Sequence, residues 1–173
     1  TYTINDEVYL ESPIKEGYEF LGWTGMGLEE VTLEVIIPTG STGDRSYTAN
    51  WKAITYTISY ELEGGTVAGT PGNPDSYTIE SEAITLQNPT KEGYEFLGWT
   101  GEGLEEPTQD LVIPAGSAGN RTYRANWELA EYTISYNLSG GEDVGNQRTY
   151  TINDEVYLES PIKEGYEFLG WTG

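Results

Sequence analysis

Lys91-Glu92-Gly93-Tyr94-Glu95-Phe96-Leu97-Gly98-Trp99-Thr100-Gly101 decides how this chain is organised, because the same eleven residues stand unchanged at 15–25 and at 163–173. Self-similarity at a regular spacing is the mark of a repeat architecture. Other stretches keep step with it. Tyr-Thr-Ile-Ser-Tyr stands at 56–60 and 132–136, Gly-Leu-Glu-Glu at 27–30 and 103–106, and Ala-Asn-Trp at 49–51 and 125–127. The eleven-residue copies begin 76 and 72 residues apart, and residues 1–25 return identically as 149–173. The chain therefore divides into a unit at 1–51 that lacks its first strand, a complete unit at 56–127, and a unit at 132–173 that lacks its last strands. Connectors of four residues, 52–55 and 128–131, predict neighbours that are tilted but closely coupled. The chain starts at Thr1 and reads as a segment excised from a longer array.

Within the complete unit, Tyr56, Ile58, Tyr60 and Leu62 alternate with polar residues, a period-2 strand closed by Gly64-Gly65. Residues 77–79 and 83–86 read as a second extended region, 94–99 as a third strand, 111–114 as a short apolar fourth and 123–127 as the last. A helical turn or two fits only between Leu104 and Asp110, with Pro107 in a first-turn position. The fold class is mostly β, α+β at most. The core is expected from Tyr56, Ile58, Tyr60, Tyr94, Phe96, Trp99, Tyr123 and Trp127, since large aromatics dominate the energetics of a small core.

Composition narrows the function. Eight Lys and Arg against 29 Asp and Glu give a net charge of −21 in 173 residues. That charge opposes nucleic acids, which are held by cationic side chains displacing counterions. There is no histidine and no cysteine, so imidazole–thiolate zinc sites, disulfides and Ser-His or Cys-His catalysis have no residues to use. No apolar run is long enough to cross a bilayer, so no membrane insertion is expected of this segment. Thirteen percent aromatic residues place the chain among folded proteins rather than among acidic, disordered ones.

The remaining candidates for chemistry are carboxylates, lysines and aromatics. Asp6-Glu7, Glu29-Glu30, Glu105-Glu106 and Asp154-Glu155 are adjacent pairs, but neighbours on a strand face opposite ways, and a glycosidase needs two carboxylates across one cleft. Residues 141–143 and 153–155 supply oxygens without the spacing of a calcium loop. Lys15, Lys91 and Lys163, with Asn50 and Asn126, are the ingredients of a Lys–Asn crosslink, against which a solvated turn lysine is the simpler account. Tyr47 and Tyr157 are candidates for sugar stacking outside the core. No catalytic residue, cofactor or metal is expected.

The run Tyr-Thr-Ile-Ser-Tyr with Gly-Gly, then Pro-Thr-Lys-Glu-Gly-Tyr-Glu-Phe-Leu-Gly-Trp, then Ile-Pro-Ala-Gly-Ser-Ala-Gly-Asn-Arg-Thr-Tyr-Arg-Ala-Asn-Trp resembles the Listeria–Bacteroides surface repeat and is similar to the B repeat of the internalins. The resemblance covers nearly the whole chain. It implies small β-grasp-like (ubiquitin-like) units in tandem, forming a rod or filament on a bacterial cell surface, wall-attached or secreted. The implied function is structural, spacing or assembling, with adhesion through glycan or protein binding as the alternative, and neither a host nor a glycan ligand is named by it. The incomplete first and last units also allow head-to-tail self-association by strand donation, for which an excised window of a continuous array is the simpler explanation.

Overall fold

A computed structural model describes residues 1–173 and contains strands and no helix. In chain order the strands are β1 (Val8–Tyr9), β2 (Tyr18–Gly25), β3 (Ile36–Ile37), β4 (Tyr47–Ala53), β5 (Tyr56–Glu61), β6 (Ser76–Tyr77), β7 (Ile84–Thr85), β8 (Tyr94–Gly101), β9 (Val112–Ile113), β10 (Arg121–Leu129), β11 (Tyr132–Thr133) and β12 (Thr149–Tyr150).

The middle segment builds a four-stranded sheet in the order β6-β5-β10-β8. Its centre is a parallel pair, Arg121 to Arg124 of β10 against Ile58 to Glu61 of β5, and its outer pairs are antiparallel. A two-rung ladder of β7 with β9 supplies further apolar cover. Between them lie Ile58, Tyr77, Leu86, Trp99, Leu111, Ile113, Tyr123 and Ala125, all buried. Tyr123 and Ala125 point inward and Arg124 outward, the alternation that β10 requires of its sequence.

On β8 that alternation breaks. Asn126 pairs with Gly98 and Trp127 with Phe96, so Leu97 is an extra residue with no partner. This bulge changes the phase of the strand. Phe96 and Trp99, three positions apart, thereby reach the same side and meet edge to face, with ring centroids 5.4 Å apart. The first unit repeats the device with Leu21 between Phe20 and Gly22.

The helical turn expected between Leu104 and Asp110 does not form. Trp99 and Thr108 instead exchange two backbone hydrogen bonds of 2.9 Å, which holds the segment against β8 as an extended bridge. Asp110 sits at φ +52°, outside helical space. The fold is therefore all-β.

β4 runs through Lys52-Ala53 and β10 through Glu128-Leu129. Only Ile54-Thr55 and Ala130-Glu131 are left between the strands of successive segments, a tighter link than four free residues. In the first segment β2 pairs with β4 and β1 with β3, while in the last only β11 and β12 pair. The accessible surface is 12211 Å². A single compact globule of this mass would expose roughly 8,400 Å².

Candidate functional site

In the middle unit the repeated aromatic residues line the interior, whereas in the last unit Tyr132, Tyr166 and Phe168 are exposed. Trp99 is 0% exposed, Tyr123 and Ile58 are buried, and Tyr56, Tyr60, Phe96 and Trp127 pack half-buried against them. Phe96 touches both Trp99 and Trp127 edge to face, each with centroids 5.4 Å apart, and Tyr60 lies 5.8 Å from Trp99. Tyr94 lies at the rim, half-buried, with Lys91 Nζ 4.1 Å above its ring. Sequence reasoning left Tyr77, Leu86, Leu111, Ile113 and Ala125 out of this set. The first four sit in runs too short for a clear period, and only the β5–β6 and β7–β9 pairings show that they face inward.

Polar residues at repeated positions are fastened to backbone. Asn126 Nδ2 donates to the carbonyl oxygens of Gly98 (3.0 Å) and Arg124 (3.2 Å) and to Thr100 Oγ1 (3.0 Å), bridging β10 to β8 beside the bulge. Asn50 does the same to Gly22, Thr48 and Thr24. Lys91 Nζ donates to the Glu63 carbonyl and Lys163 Nζ to the Ser139 carbonyl, both at 2.9 Å, and Lys15 lies over the Tyr18 ring. No hydrogen bond joins these lysines to these asparagines, so the crosslink candidates are engaged elsewhere.

The carboxylates do not converge. No group of three is placed to share a metal ion. Asp143 accepts from the amides of Gly145 and Asn146 and pairs with Arg148, bonds that lower its pKa, the Gly145 amide first. Asp6 and Asp154 are lowered in the same manner by the amides of Thr3 and Thr151. These three carboxylates tie their own turns. Glu29, Glu30, Glu105 and Glu106 are exposed and stand in no cleft. Tyr157 is exposed and Tyr47 half-buried; Tyr47 occupies the place of Tyr123, less covered because the first unit has no strand in the place of β5.

An open groove of about 780 Å³ lies in the last segment. Ile134 and Tyr136 form one wall, Phe168 and Trp171 the other. In the middle unit the corresponding walls are β5 and β8, and β10 runs between them. The groove is thus the place of a central strand. There Trp127 Nε1 donates to the Leu62 carbonyl at 3.1 Å.

Comparison with known proteins agrees with the repeat pattern. The Listeria-Bacteroides repeat domain matches residues 56–121 and 132–173, and a divergent InlB B-repeat domain matches residues 1–55. A protein of Evansella cellulosilytica described as "Putative membrane protein" is 32% identical over 163 residues, which is 92% of this chain and 23% of that protein. A second from the same organism, "Putative Gly-rich membrane protein", is 30% identical over 92% of this chain and 18% of its own length. The chain spans less than a quarter of either relative. No solved structure matches it.

Proposed function

The chain belongs to the Listeria-Bacteroides repeat family, and from that premise we propose that it is a non-catalytic spacer made of tandem β-grasp-like units, at 1–51, 56–127 and 132–173, in an extracellular protein of a bacterial surface. One observation carries this reading: in the complete unit the residues repeated without change are spent on packing and on fastening strands, and repeated aromatics face a groove only in the last unit, where no strand takes the place of β10. An enzyme or lectin would hold some of its repeated polar and aromatic residues at a concave surface of the complete unit as well. The strand order β6-β5-β10-β8 with its parallel centre supports the β-grasp comparison, with the β7–β9 ladder standing where a helix would pack.

The acidic surface suits a spacer. Units of like charge repel one another side by side, which keeps a crowded array soluble and its members apart. Electron micrographs of the purified chain test the proposal: beads in a line support it, and single round particles contradict it. The alternative function, an adhesin binding glycan or protein, predicts retention on a glycan array; the spacer predicts none.

The groove favours one further reading, self-association. β4 of the first unit has no parallel partner strand, and the groove of the last unit lies between two segments whose counterparts in the middle unit are β5 and β8. A strand from a second copy that entered the groove would bring Trp51 to the Leu138 carbonyl, as Trp127 reaches Leu62 in the middle unit. Such contacts run head to tail and propagate. Light scattering that showed one molecular mass at every concentration would remove this mode of assembly and leave the spacer untouched.

A further inference from the structure

Each boundary between units contains the same contact between two repeated motifs. Gly17, in the first Lys-Glu-Gly-Tyr turn, is buried at φ +76°, and a Cβ placed on it would lie 2.5 Å from Ile79 Cδ1 and 2.9 Å from Ile79 Cβ. Gly93, in the second turn, is also buried at φ +76°, and its Cβ would lie 2.6 Å from Ile152 Cβ and 2.7 Å from Ile152 Cδ1. Ile79 and Ile152 are each the third residue of a Tyr-Thr-Ile loop belonging to the following unit. The contact recurs although the connectors differ, Lys52-Ala53-Ile54-Thr55 at one boundary and Glu128-Leu129-Ala130-Glu131 at the other.

The same glycines also hold the connectors. The amide of Ile54 donates to the Gly17 carbonyl at 2.9 Å and that of Ala130 to the Gly93 carbonyl at 3.0 Å. Chain and side chain of the next unit are thus fixed at one residue. The first boundary adds a bond from Tyr18 Oη to Glu80 Oε1 at 3.0 Å; Asn153 takes the place of Glu80 at the second. The isoleucine against the glycine is what the boundaries share.

We propose that the glycine of the Lys-Glu-Gly-Tyr turn is a docking notch for the isoleucine of the succeeding repeat, and that this contact sets the angle between neighbouring units. The partner that fits the notch is another Tyr-Thr-Ile loop of the same repeat. Only glycine serves there, since any Cβ would occupy the space of the isoleucine as well as strain a positive φ. A contact made at each boundary stiffens a short link that would otherwise swivel. It deepens the spacer reading and rests on that reading for its purpose alone.

Gly165 provides an internal control. It has the same φ of +76° but nothing within 4 Å of its Cβ position. Alanine at Gly17 and at Gly165 therefore carries the same backbone strain, and only the former meets an isoleucine. With no native cysteine, spin labels can be placed on Glu29→Cys and Glu105→Cys, both exposed, to read the distance between the first two units. The parent and Gly165→Ala are expected to give one narrow distance distribution, while Gly17→Ala and Ile79→Ala lose it for a broad one. Ile79→Ala adds no backbone strain and decides the matter if Gly17→Ala does not fold. A distribution that stays narrow in Ile79→Ala overturns the proposal. Its failure is separable from that of the spacer, which is judged by overall length.

Discussion

Removing the Trp99 indole would open a hole walled by Tyr60 and Phe96 at the most deeply buried point of the core. Trp99→Ala should cost about 3–5 kcal/mol, a large share of a small domain's stability. Trp23, its counterpart in the first unit, is only half-buried, and Trp23→Ala should cost less. Urea midpoints for the two variants check the order, and equal shifts would show that β5 adds nothing to the burial of Trp99. Tyr60 supplies a pH test. Burial, with Tyr123 and Asp75 adding to it, pushes its hydroxyl up to about 12. A group raised in the folded state stabilises below its unfolded value of about 10, and that contribution is lost as the pH climbs through the folded value. Above pH 10 the parent should lose stability more steeply than Tyr60→Phe, measured as urea midpoints; parallel curves would refute this.

Among the elements, β5 and β10 could be read from period-2 alternation, because both bury one face and show the other to water. β8 could be read as a strand but not in its phase. Simple alternation sets Phe96 and Trp99 on opposite faces, and only the unpaired Leu97 reconciles them. That information lies in the pairing with β10, which has no local signature. The mistaken helical turn has a similar cause, since Thr108 is extended through its bonds to Trp99, which lies outside 104–110 and leaves no pattern within that stretch. The missing histidine and cysteine tell only which chemistries have no residues to use, whereas the notch at Gly17 and Gly93 depends on neighbouring units meeting and leaves no mark in either unit's sequence. The bulge yields a prediction. Deleting Leu97 slips the register by one and turns Trp99 outward, so the middle unit should lose its cooperative transition. Leu97→Ser, at an exposed position, should shift stability by no more than about 0.5 kcal/mol. Thermal melts of the two separate a bulge that sets register from one that does not. Hydrogen exchange should show β10 amides as the slowest in the chain and those of 166–171, which have no strand partner, as fast; equal protection would contradict the sheet described.

At the scale of the molecule, charge and shape point the same way. Of 29 carboxylates only Glu63 and Asp143 stand in ion pairs, with Arg124 and Arg148, and the net charge of −21 is spread over every unit. An accessible surface of 12211 Å² exceeds the roughly 8,400 Å² of one compact globule of this mass. Small-angle X-ray scattering in moderate salt tests the spacer most directly. Three units of about 30 Å placed end to end predict a radius of gyration of about 25 Å, whereas one compact domain of this length would give about 16 Å. A value near the larger figure, with a single long dimension in the distance distribution, is what the tandem spacer requires; a value near the smaller one would contradict it.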